Sequence, residues 1–244
     1  YGVRNDPFTG SLAMHEGIDF AAEVGTPVVA PAQGQVVRSE WDPTYGNVIE
    51  IKHRADMTTV FAHLSRIDVK KGQKVEQGDK IGAVGSTGFS TGPHLHFEFR
   101  DSKTENIINP LFFGFDKLLK DTKKPFVTSV LAYPITPKSS VNQSNIPIVL
   151  HLSLQKDGTF ISENVRVHGS VGFGITAQDY DDVSYNANGI YKVQSYRNGS
   201  PNFGYQFDDF AFAETRYVNA LLDYVRYIKT KQRVQKLFQT KIGR

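Results

Sequence analysis

Residues 92–100 read GPHLHFEFR, which sets two of the chain's seven histidines one residue apart in an alternating apolar run. In a strand, residues two apart share a face. Leu95, Phe97 and Phe99 then point at a core, and His94, His96, Glu98 and Arg100 line the opposite face. Burying two imidazoles without partners is costly, so a cleft holding a metal ion or a substrate is their natural place. Two other stretches offer similar groups. MHEGIDF sets His15 and Asp19 four apart, with Gly17 permitting a sharp backbone and Ile18 and Phe20 anchoring the strand that carries Asp19. TTVFAHLS reads as a strand with Thr59, Phe61 and His63 on one face and Val60, Ala62 and Leu64 on the other. Two neutral imidazoles and one carboxylate are a familiar zinc set that leaves a fourth position for water, whose pKa then falls to about 7. Histidines left over can serve as general base or oxyanion stabiliser. A lone strand histidine is usually a satisfied polar residue, and HxxxD alone carries little. The three segments together, in this order and within about eighty residues, are far more specific.

These groups must be positioned by short strands. Residues 1–111 are rich in β-branched runs, among them Val28-Val29, Val36-Val37, Val48–Ile51, Thr59–His63 and Leu95–Phe99, punctuated by Gly and Pro. The fold class expected is mostly β, with an antiparallel barrel-like β-sandwich first, a second β-sandwich after it, and a C-terminal helix. GTPVVAPAQGQVV and GQKVEQGDKIGAV share a weak internal echo, a cadence also seen in carrier domains with a modified lysine. Near Asn109-Pro110 the character changes to an amphipathic bridge that Pro125 stops. The expected organisation is a first domain over 1–112, a linker over 113–125, a β-sandwich over 126–213 and a helical tail over 214–244. In that tail Val218, Leu221, Leu222, Val225 and Ile228 would share one helical face. The closing KIGR brings no closing element, as in a truncated tail.

Composition narrows the chemistry. The 244 residues include no cysteine, which excludes disulfides, thiolate catalysis and Cys-type zinc sites. No apolar run approaches the roughly 20 residues of a membrane helix, and YGVRNDPFTG is not a signal peptide. The net charge of +3 is uneven, because Tyr224–Arg244 carries seven Lys/Arg and no acid. That basic run reads as the solvated face of a terminal helix rather than a nucleic-acid site.

The stretches HEGIDF, FAHLS and STGPHLHFEFR, with GTPVVAPAQGQVV, YGNVIEIKH and VKKGQKVEQGDKIGAVGSTGFSTG around them, resemble the lysostaphin/LytM-type zinc metalloendopeptidases in one register over residues 1–111. The resemblance implies hydrolysis of peptide cross-links or bridges in bacterial peptidoglycan, with one zinc ion per chain. It places zinc ligands at His15, Asp19 and His96, a general base at His94 toward zinc-bound water, and a water-orienting or oxyanion-stabilising role at His63. Some members of that family lack ligands and only bind or activate, so a non-catalytic envelope module is the alternative. Peptidoglycan as substrate implies export to the periplasm or cell envelope, which the absence of cysteine suits. Residues 126–244 resemble the β-rich extension of longer envelope peptidases and are expected to pack on or beside the catalytic domain or to recognise an envelope partner. Tyr45 is a candidate groove residue. His53 reads as surface or support, and His151 and His168 as structural.

Overall fold

A computed structural model of the chain describes residues 1–5, 8, 12–54, 56–117, 121–182 and 188–239, without the side chains of 5, 12, 116 and 216–219. Two compact units emerge: Tyr1, Asn5–Leu118 and Phe207–Thr215 form one, and Gly2–Arg4, Leu119–Gln206 and Arg216–Arg244 the other. The chain is mostly β, as expected.

The first unit is built on β1 (Leu12–His15), β2 (Ile18–Ala21), β3 (Pro27–Val29), β4 (Gly34–Asp42), β5 (Gly46–Lys52), β6 (Met57–Leu64), β7 (Arg66–Ile67), β8 (Lys74–Val75), β9 (Lys80–Ala83), β10 (His94–Asp101), β11 (Ile107–Ile108) and β12 (Asp209–Phe210). The main sheet runs β12-β11-β10-β6-β5-β4-β8, and β2 also pairs with β10. Among the described residues its strand pairings are antiparallel. Among the described residues this order does not return on itself, so the barrel-like closure expected from the sequence is not seen. The two echo segments interlock, with β3 against β9 and β4 against β8. Ile49, Ile51, Phe61, Leu64, Ile81 and Phe97 are buried in the largest core cluster. Phe97 meets Phe61 at 5.2 Å between ring centroids, and the bridge after Pro110 adds Phe113, stacked on Phe99 at 3.9 Å.

Alternation on β10 matches the sequence pattern: Phe97 is buried in the core, and Leu95 and Phe99 pack against it. Alternation on β6 breaks. Ile49 pairs with Phe61 and Asn47 with Leu64, so Ala62 and His63 together stand opposite Val48. That extra residue is a β-bulge, which shifts every later side chain to the other face. Phe61 and Leu64 therefore both enter the core, and the expectation that Phe61 and His63 share a face does not hold. His63 takes a φ of 58° at the bulge. Its N–H donates to the Tyr45 carbonyl at 2.8 Å, and the Leu64 carbonyl accepts from Thr87 Oγ1 at 2.8 Å and Asn47 Nδ2 at 3.0 Å.

In the second unit, among the described residues, a four-stranded sheet orders Ile148–Leu150, Phe126–Pro134, Val171–Gln178 and Gln235–Lys236, beside three two-stranded pairs. The tail is not one helix. Turns of 3-10 type over Phe212–Leu221 give way to α1 (Tyr224–Thr230), because Asp223 starts a new helix by accepting from the Arg226 N–H at 3.1 Å. Leu222 bridges to Gln235 and is buried, while Val225 and Ile228 face outward and Tyr227 is buried instead. The expected single apolar face is thus broken at the cap. Residues 240–244, where the chain's closing stretch falls, lie outside the described residues.

Candidate metal centre

Strand register brings the site together. On β10 His96 pairs directly with Asp19 of β2 on one side and Ala62 of β6 on the other. His15 ends β1, three residues before β2 begins. Gly17 between them is required by space rather than by a special turn: a Cβ there would strike the Phe97 carbonyl, which holds the link tight against β10.

Three donor atoms meet. His15 Nε2 lies 3.1 Å from Asp19 Oδ1 and 3.1 Å from His96 Nδ1, and His96 Nδ1 lies 2.9 Å from Asp19 Oδ1. Donors arranged tetrahedrally at roughly 2.0–2.1 Å around one ion stand about 3.3 Å apart. The trio therefore fits a shared divalent ion, and its N,N,O chemistry suits zinc. Asp19 is partly exposed, whereas His15 and His96 are buried.

The other two histidines flank the trio. The His63 ring is 4.8 Å from that of His94 and 5.8 Å from that of His96. His94 Nε2 is 3.7 Å from Asp19 Oδ1. Each is anchored through Nδ1 to a carbonyl, His63 to Thr87 and His94 to Gly92, both at 2.8 Å. A carbonyl only accepts, so in each ring Nδ1 carries the hydrogen, and the neutral ring keeps its lone pair at Nε2.

Electrostatics follow from burial and these bonds. Burial pushes His15 down to about 3, against the bond to Asp19. Burial also lowers His63, to about 4, despite its bond to the Thr87 carbonyl. For His96 burial acts the same way, but the bonds to Asp19 and Glu98 outweigh it and raise the ring to about 9. Burial works to raise Asp19, yet the bonds from His15 and His96 hold it far below the usual carboxylate range.

Residues 13–110 match Peptidase family M23. The catalytic domain of lysostaphin from Staphylococcus simulans is 36% identical, with 46% of this chain and 88% of that one aligned and a TM-score of 0.42. Residues 13–110 thus form a Peptidase family M23 domain. An uncharacterized metalloprotease of Haemophilus influenzae is 42% identical over 109 residues, which are 44% of this chain and 22% of that protein. The peptidoglycan DD-endopeptidase ShyA of Vibrio cholerae is 48% identical over 95 residues, 39% of this chain and 22% of that one. The chain thus covers about a fifth of the length of these two relatives. M23 is a metallopeptidase family.

The candidate centre holds more than its residue spacing revealed. Tyr45 does not simply line a groove: it packs on Val48, Val60 and Ala62, and its hydroxyl accepts from Arg100 Nη2 at 3.1 Å. Glu98 and Arg100 are buried beside His96. Their place on the histidine face was visible in the alternation, but nothing in the spacing told which groups they meet. His53 lies apart, bonding the Gln33 carbonyl and Thr59 Oγ1. His151 and His168 are exposed in the second unit.

Proposed function

We propose that the protein is a zinc-dependent endopeptidase that hydrolyses peptide cross-links or bridges of bacterial peptidoglycan, in the periplasm or cell envelope. The observation that carries the reading is the mutual 2.9–3.1 Å spacing of the His15, Asp19 and His96 donor atoms, with two further imidazoles at their edge. His15 Nε2, Asp19 Oδ1 and His96 Nδ1 would hold the ion. When bound, zinc supplies Lewis acidity toward a carbonyl oxygen and brings a water's pKa to about 7. The chain's own residues do the rest. His94 Nε2 takes the proton of the attacking water and returns it to the leaving amine. His63 Nε2 is an acceptor while the ring is neutral, so it orients that water. It donates toward the developing oxyanion only after gaining a proton. In this reading residues 1–112 carry the chemistry, 113–125 link, and 126–213 with the tail 214–244 meet an envelope partner. Among the described residues no helix is long and apolar enough to cross a membrane.

The test is elemental analysis for zinc, then digestion of purified sacculi with and without a chelator. One zinc per chain and chelator-sensitive release of peptides are expected, and His15→Ala should lose metal and activity together. Zinc-bearing protein that leaves sacculi intact would point to a non-catalytic envelope module. The five intact site positions count against that alternative.

A further inference from the structure

Beyond His96, the same face of β10 continues into Glu98 and Arg100, which have no role in the chemistry above. Glu98 is 0% exposed. A carboxylate so buried is tolerable only when its oxygens are paired. Here both are. Oε1 accepts from His96 Nε2 at 3.0 Å, and Oε2 accepts from Arg100 Nε and Nη2, each at 2.7 Å. Arg100 is locked in turn. Its Nη2 reaches the Tyr45 hydroxyl at 3.1 Å, its Nη1 stands 3.6 Å from Glu50 Oε1, and the Phe212 ring lies 4.7 Å from its guanidinium carbon. An ionised carboxylate has no hydrogen to give, so the bond to His96 requires the hydrogen on Nε2. Nδ1 is then the nitrogen that turns to His15 and Asp19.

We propose that Glu98, held by Arg100, is a positioning residue that fixes the tautomer and ring orientation of His96 and thereby sets the metal affinity of the site. The inference rests on the reading of His15, Asp19 and His96 as a metal centre. A purely structural Glu98–Arg100 pair would stabilise the sheet without governing which His96 nitrogen faces the ion. Carboxylates that accept from a ligand histidine typically contribute 10- to 100-fold in metal affinity or activity. The fork of Arg100 matters because two of its nitrogens converge on one oxygen, which a lysine cannot reproduce.

The test uses the full chain loaded with zinc. Affinity is read by competition with a chromophoric chelator for the parent, Glu98→Gln and Arg100→Lys. Glu98→Gln should bind zinc about 10- to 100-fold more weakly, with Arg100→Lys intermediate. Nitrogen-15 spectra of the imidazoles should show His96 of the parent with its hydrogen on Nε2, exchanging slowly with water, and faster exchange in Arg100→Lys. Parent protein whose His96 carries the hydrogen on Nδ1 overturns the proposal, even where the variants do not fold. So does a folded Glu98→Gln variant with zinc affinity equal to the parent's. A parent that binds no zinc would instead sink the metal-centre reading itself, so the two failures are distinguishable.

Discussion

His94 and His63 are alike in one respect that decides their chemistry: each spends its Nδ1 hydrogen on a backbone carbonyl and keeps Nε2 for the site. A ring tethered in this way can accept a proton at Nε2 without first rotating, which is the geometry general-base catalysis needs. Replacing His94 by alanine should therefore lower kcat by about 100- to 10,000-fold while zinc content stays at the parent level. Single-turnover digestion of a defined muropeptide, beside elemental analysis, separates the two readouts. Undiminished turnover would remove His94 from the base role. The sequence made His94, His96, His15 and Asp19 legible because period-2 alternation and a four-residue spacing are local signals. It left His63 misoriented, because its bulge depends on Tyr45, Asn47 and Thr87, whose approach no local pattern encodes. Glu98 and Arg100 were placed on the right face, but their partners are a matter of tertiary contact.

At the scale of elements, the M23 match ends at residue 110, but the sheet that carries the site does not. β12 adds to β11, pairing Ile107 with Phe210 and Ile108 with Asp209. Asn109 donates its N–H to the Asp208 carbonyl at 2.8 Å, and Asn106 Nδ2 reaches Asp209 Oδ1 at 3.3 Å. Phe210 is buried and meets the Tyr1 ring at 5.4 Å. A strand from far down the chain thus extends the edge beside β10, and Phe212 two residues on covers Arg100. Phe210→Ala should cost about 3–5 kcal/mol, as for other buried phenylalanines, and chemical denaturation followed by hydrogen exchange at β10 and β11 would detect it. Unchanged protection in those strands would show that β12 is dispensable. Nothing in FDDFAF announces this return, because a two-residue strand has no periodicity to read. The tail misled for the opposite reason: its apolar spacing spans a cap at Asp223, so residues in register on paper belong to different elements.

For the whole molecule, metal, protons and stability form one linked balance. The two histidines proposed as ligands enter it with opposite signs. His15, lowered by burial to about 3, stays neutral, so it costs stability as pH falls below its ordinary value of about 6.5 toward 3. His96 is raised to about 9, since its bonds to Asp19 and Glu98 outweigh burial. Its contribution is fully present below about 6.5 and is lost as pH rises through 9. A zinc ion needs the Nδ1 lone pair of His96 and must displace the hydrogen that the charged ring carries there, whereas neutral His15 releases no net proton, because its single hydrogen moves from Nε2 to Nδ1. Zinc-loaded protein therefore holds His96 neutral at every pH where it binds, and does not share the alkaline loss. The metal-stripped chain should lose stability between about pH 6.5 and 9 and the loaded chain much less, so the rise in Tm on adding zinc should grow across that interval. Calorimetric titration near pH 7, repeated in buffers of differing ionisation enthalpy, should register proton release on zinc uptake. Zinc uptake without proton release, together with a metal-stripped Tm flat from about pH 6.5 to 9, would mean that His96 is already neutral and that Asp19 and Glu98 do not hold a proton there.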